Sequence, residues 1–279
     1  MSAARDLLDP GAARGALPVK LAVRDLVKTR VSTSGRRVTA IDHVSFDVGV
    51  GEFVCLLGPS GCGKTTIMNI LAGLDAPTSG QALLDGRPIS GPGPDRAVLF
   101  QEPALFPWLS VAANVELALR LAGVPTEDRR DRAMHWIDNV RLGPLADAQP
   151  HELSAGQRQR AALARALACD PDVLLADEPF GALDAQAREL LQNELQRVWA
   201  ESDGTKTFLF VTHNVREAAL LADRVIVMTR SPGRLLEEQR IDAARPRDLD
   251  DVLVQHVVSD IHGSLMKEVD EDVSREIDR

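Results

Sequence analysis

Eight consecutive residues place three glycines, a lysine and a threonine at a spacing that suits a chain of phosphates. They are Gly58, Pro59, Ser60, Gly61, Cys62, Gly63, Lys64 and Thr65. Glycines let successive backbone N–H groups turn toward a phosphate, and a helix that begins here adds its partial positive charge. Lys64 would reach the β- and γ-phosphates and Thr65 would ligate Mg²⁺. The pattern predicts a nucleotide-binding P-loop extending to Thr66; a chance glycine-rich turn is the alternative.

Two adjacent carboxylates follow the apolar run 173–176. In doubly wound sheets, ligands bind at the carboxyl ends of the strands, which is where Asp177 and Glu178 would lie. We expect Asp177 to hold Mg²⁺, commonly through water, and Glu178 to polarise the attacking water. An acidic pair before a proline also resembles a helix cap, but the P-loop upstream favours the catalytic interpretation.

The elements that position these residues alternate between strand and helix at the two ends of the chain. Strands are predicted at 19–25, 41–47, 52–57, 80–84, 97–100, 173–176, 207–211 and 224–228. Helices are predicted at 65–74, 185–200 and 215–222, and a helical block runs from 111 to 167 with breaks at 123–125 and 143–144. This order predicts an α/β fold with a parallel core and an inserted helical subdomain.

The overall composition bounds the class of protein. A net charge of −9 argues against nucleic acid as the main partner. No apolar stretch reaches the roughly 18–20 residues that span a bilayer, so membrane association is expected to come through a partner. Residues 1–18 lack the apolar core of a signal peptide and are expected to form a disordered leader. Cys55, Cys62 and Cys169 have no metal or redox spacing.

At the level of motifs the chain resembles the ATP-binding subunits of ABC transporters. LSAGQ at 153–157 resembles the ABC signature, with Ala155 where glycine is usual. Gln101 is similar to the Q-loop glutamine, 182–184 to the D-loop and His213 to the switch histidine. These motifs occur in the family's order, and the resemblance covers roughly 19–240.

The resemblance implies an ABC cassette of the P-loop NTPase class, with a RecA-like parallel-sheet core, an antiparallel β edge region and a helical subdomain at about 103–168. Two identical or related cassettes would dimerise head to tail around two ATP molecules. Ser154, Gly156 and Gln157 would contact the nucleotide held by the partner cassette, and Asp184 would help to join the two sites.

Within one subunit the resemblance implies a catalytic set made of Glu178, His213, Gln101 and Lys64, with ATP and Mg²⁺ as cofactors. Gln101 would contact the Mg²⁺ and the attacking water, and His213 would bind the γ-phosphate. A histidine in isolation is more often structural, but its position after an apolar strand favours the catalytic role.

One position departs from the family pattern. The family usually stacks adenine on an aromatic residue just after the first strand, where this chain reads KTRV at 28–31. Arg30 would stack on the base through its guanidinium plane. The alternatives are a solvated surface arginine and a rearranged loop at 32–37.

Three stretches resemble the importers of nitrate, sulfonate and taurine: GPGPDR at 91–96, LFPW at 105–108 and SPGR at 231–234. The family's permease inserts a short helix beside 105–109, and Trp108 is the candidate contact. Leu105 and Leu109 have core packing as an equal alternative. The transported solute does not touch this subunit, so the sequence does not identify it.

The expected assembly is a peripheral complex on the cytoplasmic face of the inner membrane. Its partners would be a transmembrane permease and, indirectly, a periplasmic or lipoprotein solute-binding protein, with no nucleic acid. An exporter or lipid-trafficking ATPase and a soluble non-transport ABC ATPase are the alternatives. The cassette is predicted at 19–245. A helical tail at 246–279 would pack on the body, with a regulatory role as its alternative.

Overall fold

The computed structural model describes residues 17–31, 35–181 and 183–277. The predicted leader at 1–18 lies outside the described residues except for Leu17 and Pro18. Residue 182 of the D-loop and residues 32–34 of the first turn also lie outside them.

The described elements follow one another in chain order as strands and helices. The strands are β1 (Val19–Val31), β2 (Arg37–Gly49), β3 (Phe53–Leu57), β4 (Ser79–Leu84), β5 (Arg87–Pro88), β6 (Arg96–Leu99), β7 (Val173–Asp177), β8 (Thr207–Thr212), β9 (Arg224–Met228) and β10 (Leu235–Arg240). The helices are α1 (Lys64–Leu71), α2 (Val111–Leu121), α3 (Thr126–Asn139), α4 (Ala155–Ala168), α5 (Ala185–Ala200), α6 (Val215–Leu221) and α7 (Val252–Ile277).

The larger sheet has the strand order β10-β9-β3-β8-β7-β6. The strands from β9 to β6 pair in parallel, and β10 is antiparallel to β9. Because parallel strands place their carboxyl ends at one edge, the residues that follow β3, β6, β7 and β8 converge there. Those residues are the P-loop, Gln101, Glu178 and His213.

The strands of this sheet are buried on both faces. In β3, Phe53, Cys55 and Leu57 pack into the core beside the helices, whereas Val54 and Leu56 pack into the opposite core. A strand covered on both faces reads as a continuous apolar run, which is why the sequence predicted it.

The smaller sheet is antiparallel, with the order β2-β1-β4-β5. Its apolar residues share the second core with α1. The helices α2, α3 and α4 are inserted between β6 and β7, and the predicted breaks fall between α2 and α3 and just after α3. The predicted α/β class, with a parallel core, an antiparallel region and inserted helices, is confirmed.

Two strands were not predicted, and several boundaries differ: β1 extends to Val31 rather than 25, and β2 spans Arg37–Gly49 rather than 41–47. β10 alternates exposed and half-buried residues and carries two glutamates, so its pattern lacks the apolar run of a central strand. β5 contains only Arg87 and Pro88. The first helix ends at Leu71 rather than 74, because Gly73 adopts a positive φ of 75° and turns the chain.

The last described helix, α7, lies against α6 and buries Val254, Val257 and Ile261 in the core beside the helices. Their spacing of three and four residues forms one face of the helix. Across the described ranges, none of the helices is at once long and apolar enough to span a bilayer.

Candidate nucleotide site

The glycine-rich loop joins β3 to α1, and Gly63 is the residue immediately before the helix. Gly63 has a φ of +99°, and a Cβ there would lie 2.9 Å from the carbonyl oxygen of Ala40. Gly61 also has a positive φ, of +82°. Both positions therefore require glycine, since L side chains rarely adopt this conformation.

Lys64 lies between the loop and the end of β7. Its side chain is 4% exposed, and its Nζ donates hydrogen bonds to Gly58 O at 2.8 Å and to Pro59 O at 3.0 Å. The same Nζ is 3.6 Å from Oε1 of Glu178. The ammonium group is thus held at the mouth of the loop, beside the proposed catalytic carboxylate.

Thr65 and Asp177 form a pair of oxygen donors below this lysine. The Thr65 hydroxyl donates to Oδ1 of Asp177 at 3.3 Å. Burial raises the pKa of Asp177, although the Thr65 hydrogen bond and the charge of Lys64 oppose that shift. A buried carboxylate of raised pKa beside a hydroxyl suits a hard cation, because a bound cation would stabilise its ionised form.

Mg²⁺ beside nucleotides is usually bound by one or two protein oxygens, and phosphates and water complete its coordination shell. Thr65 and Asp177 fit this pattern. Over 17–31, 35–181 and 183–277, no cluster of three or more histidine, cysteine, aspartate or glutamate side chains is arranged to bind a metal unaided.

Glu178 contacts both Lys64 and His213. Its Oε2 lies 2.9 Å from Nδ1 of His213, and its backbone N–H donates to Val211 O at 3.0 Å. Glu178 has a φ of +43°, a left-handed conformation that non-glycine residues adopt rarely and that persists where the surroundings hold it. The carboxylate is mostly buried, whereas the histidine side chain is 56% exposed.

A cleft of about 370 Å³ opens above these residues. Its volume is within the range of small-molecule sites. Nine of the sequence-predicted site residues line it: Arg30, Ser60, Gly61, Gly63, Lys64, Thr65, Thr66, Gln101 and Glu178. The structure therefore brings together residues from four separate segments of the chain.

Arg30 belongs to β1 and lines the cleft. Its Nη2 donates to Oγ1 of Thr66 at 3.1 Å, so one edge of the guanidinium is anchored to α1. The residue is exposed and lines the cleft. A guanidinium held in this way can offer its plane to a bound base, and stacking on the base stays a prediction.

The lining of this cleft does not include Gly58, Pro59, Cys62, Asp177 or His213, although they belong to or contact residues of the same site. It also does not include Ser154, Gly156, Gln157 and Asp184. Ser154 caps α4: its Oγ accepts from Gln157 N–H at 3.2 Å, and its own N–H donates to Gln157 Oε1 at 2.8 Å. Asp184 caps α5 by accepting from Ala187 N–H at 2.8 Å. Gly156 packs beside Leu183. Within one chain these residues shape helix ends, and their contact with a partner's nucleotide stays a prediction.

Comparison with known proteins identifies the family and the fold. The family model described as "ABC transporter" matches residues 41–181, about half of the chain. An ABC transporter ATP-binding protein of Methanocaldococcus jannaschii is 49% identical over 235 residues, covering 84% of this chain and 87% of that protein. The chain belongs to the ABC transporter family.

Two further relatives of this ABC ATPase are named for import. A taurine import ATP-binding protein of Roseobacter denitrificans is 47% identical over 211 residues, covering 76% of this chain and 78% of that protein. A nitrate import ATP-binding protein of Synechocystis is 44% identical over 222 residues, covering 80% and 82%.

The dimeric structure of a bacterial ABC transporter cassette matches with a TM-score of 0.71 and 32% identity, covering 82% of this chain and 99% of that one. The same cassette matches equally in a post-hydrolysis state bound to ADP and phosphate. The chain is thus an ATP-binding subunit of the ABC type, and it hydrolyses ATP.

Sequence reasoning missed the support behind the P-loop. A Cβ at Gly233 would overlap the carbonyl oxygen of Cys62, and Gly233 N–H donates to Ala40 O at 3.0 Å. The thiol of Cys62 is buried in the core beneath the loop. SPGR at 231–234 entered the sequence analysis only as a family likeness, and no local pattern indicated that it packs on residues 171 positions earlier.

A second group of residues missed by the sequence analysis lies behind His213. Thr212 Oγ1 donates to Oε2 of Glu217 at 2.7 Å, and burial raises the pKa of Glu217. Arg188 Nε lies 3.6 Å from Glu217 Oε1, and its Nη2 donates to Leu183 O at 3.2 Å. These contacts connect the strand end that carries the switch histidine to the D-loop segment.

Proposed function

We propose that this ABC ATPase powers an importer that takes up a small anion of the nitrate, sulfonate or taurine type through a separate permease. The observation that carries the proposal is its similarity to taurine and nitrate import ATP-binding proteins over at least three quarters of the chain. The cassette would comprise 19–245, with the helical subdomain at about 103–168 and the tail at 246–279 packed against it.

Hydrolysis would proceed by in-line attack of water on the γ-phosphate, with the chain supplying position and charge. Glu178 would orient and polarise the water, since its carboxylate lies beside both Lys64 and His213. Lys64 and His213 would stabilise the charge on the phosphate oxygens. Mg²⁺, when bound, would neutralise phosphate charge; Thr65, Asp177 and Gln101 are its proposed ligands.

The active unit would be a dimer of identical or related cassettes. Ser154, Gly156 and Gln157 lie outside the cleft lined by their own P-loop. The chain is similar to a cassette that was solved as a dimer. This similarity supports the proposal that these three residues contact the nucleotide bound by a second copy. Ser154 and the start of α4 would then face the partner's γ-phosphate, and Asp184 would connect the two sites.

The proposed permease contact is an exposed aromatic pair just after Gln101. The ring centroids of Phe106 and Trp108 are 5.6 Å apart, and Trp108 is 70% exposed. Leu105 instead packs partly against the core beside the helices. An exposed tryptophan next to a second aromatic ring is typical of an interface anchor. Attachment through this pair would place the subunit on the cytoplasmic face of the inner membrane.

The test is anion-dependent ATPase activity in a reconstituted complex. The chain would be co-expressed with candidate permeases and assayed in liposomes with binding proteins loaded with nitrate, taurine or methanesulfonate. Stimulation by one loaded binding protein, absent in Glu178→Gln, is the expected result. Hydrolysis that no loaded binding protein changes would contradict import and favour an exporter or a non-transport role.

A further inference from the structure

The loop that carries Gln101 is attached to α4 by two polar side chains. Gln159 is 3% exposed, and its Nε2 donates to Phe100 O at 3.2 Å. Arg165 donates from Nη1 to Ala104 O at 2.7 Å and from Nη2 to Pro103 O at 3.1 Å. One attachment therefore precedes Gln101 and the other follows it.

The guanidinium of Arg165 is well placed to fix the backbone. Both of its acceptors are carbonyl oxygens, and hydrogen bonds from a charged donor are stronger than neutral ones. Arg165 is half-buried, and burial lowers its pKa. Ala104, one of the two residues it holds, has a φ of +45°, a conformation that L side chains rarely adopt.

The rest of the loop is fixed by a third side chain from the helical subdomain. Asn114 of α2 is fully buried; its Nδ2 donates to Phe106 O at 3.2 Å and to Leu109 O at 3.1 Å. Its Oδ1 accepts from Phe106 N–H at 2.8 Å. The segment between Phe100 and Leu109 is thus held along its length, although Trp108 projects into solvent.

The same helix that holds Gln101 begins at the signature. Ser154 caps α4, Gln159 follows after about one and a half turns and Arg165 after about three. A helix of this length transmits a displacement of its first turn to its last. The N-terminus of α4 would face the partner's nucleotide, and its side chains hold the backbone on both sides of Gln101, which lines this chain's own cleft.

We propose that Gln159 and Arg165 are positioning residues that lock Gln101 to α4, so that engagement of Ser154 with the partner's nucleotide sets the position of Gln101 at this subunit's nucleotide. The proposal deepens the proposed function and rests on its roles for Gln101 and Ser154. The two ATP sites of the dimer are then connected through one helix in each subunit.

The experiment measures kcat and KM of the full-length chain's own ATPase with Mg-ATP, so it needs no permease. Arg165→Met keeps the apolar stem but removes both hydrogen bonds, and we expect kcat to fall about 10- to 100-fold with ATP binding within about twofold of wild type. Arg165→Lys keeps the charge but has a single donor nitrogen in place of the guanidinium fork, and it should recover part of the loss.

Arg160→Met is the matched control. Arg160 lies on the same helix, burial also lowers its pKa, and it donates to the carbonyls of Val140 and Arg141, away from Gln101. It should retain wild-type kcat. An equal loss of kcat in Arg160→Met and Arg165→Met would assign the effect to general damage of α4 and overturn the proposal.

A double-mutant cycle with Gln101→Ala is decisive. If Arg165 acts through Gln101, adding Arg165→Met to Gln101→Ala lowers kcat no further; additive losses would overturn the proposal. Wild-type turnover by Gln101→Ala would remove its premise. Amide hydrogen exchange of residues 100–110 would then show whether Arg165 holds the loop at all. Faster exchange in Arg165→Met than in Arg160→Met would mean that Arg165 holds the loop and that only the role proposed for Gln101 is wrong. If no anion-loaded binding protein stimulates ATP hydrolysis, the import proposal is overturned but the proposal for Arg165 is not.

Discussion

Nδ1 of His213 lies 2.9 Å from Oε2 of Glu178, and Glu178 lines the same cleft as the P-loop. The two residues follow β8 and β7, neighbouring parallel strands, so the sheet itself brings them together. The other oxygen of the carboxylate is 3.6 Å from Lys64 Nζ. Glu178 therefore connects the phosphate-binding loop to His213, and its removal should affect the chemical step more than binding.

Replacing Glu178 by glutamine is expected to keep ATP binding and lower turnover by at least about 10²–10⁴-fold, since loss of a general base costs that much. ATP should then hold the cassettes together as a dimer, visible by light scattering after gel filtration. Glu189→Gln, an exposed glutamate on α5, is the control. Near-normal turnover of Glu178→Gln would refute the role of this carboxylate.

Lys64→Ala is expected to weaken ATP binding itself. The ammonium lies at the mouth of the loop, held by Gly58 O and Pro59 O, and no other lysine lines the cleft formed by the described residues. Calorimetric titration of Mg-ATP should give a dissociation constant at least about tenfold higher, because a charge-assisted contact to phosphate is among the stronger interactions. Unchanged affinity would count against this interpretation of the loop.

Arg30→Ala tests recognition of the base. Loss of a cation–π contact of about 0.5–2 kcal/mol corresponds to about a 2- to 30-fold rise in the dissociation constant for ATP. Arg30→Phe should restore most of the affinity by offering a ring to the base. Arg87→Ala, which removes an exposed arginine of β5, is the control. Stacking by Arg30 is wrong if its alanine variant binds ATP as wild type does.

Asp177→Asn is expected to stabilise the nucleotide-free protein at neutral pH. Burial raises the pKa of Asp177, so the folded state binds the proton more tightly than the unfolded state. The free energy of unfolding of wild type therefore falls as pH rises from the unfolded value of about 3.9 to the raised folded value. The gain in thermal midpoint from asparagine should be absent near pH 4 and present at pH 7.

The same variant tests the proposed metal site. With Mg-ATP present, wild type should gain thermal stability from the ligand, and Asp177→Asn should lose most of that gain. An identical pH dependence in the two proteins would contradict the stability argument. An identical response to Mg-ATP would contradict the role of Asp177 as a metal ligand.

Trp108→Ala is expected to reduce recovery of the permease when the chain is used as bait in detergent. The side chain is 70% exposed and pairs with Phe106, so its loss should remove an anchor without opening a cavity. Leu121→Ala is the control, because Leu121 is 76% exposed on α2 of the same subdomain. Equal permease recovery by the two variants would place the contact elsewhere.

Local patterns predicted the parts of the fold and site that depend on neighbouring residues. The P-loop is a continuous motif, and β3 and β7 are apolar because both of their faces are covered. The packing of Gly233 on Cys62 joins distant parts of the chain and has no local pattern. Arg165 gave no signal either, because a basic residue on a helix usually faces solvent.

The support that Gly233 gives to Cys62 has a consequence for how the protein is made. The phosphate-binding loop is synthesised before the surface that supports it from behind, which follows 171 residues later. A nascent chain that ends at Asp177 contains the loop, the first carboxylate and the signature helix, but not that surface. The loop therefore gains this support only after Gly233 has been synthesised.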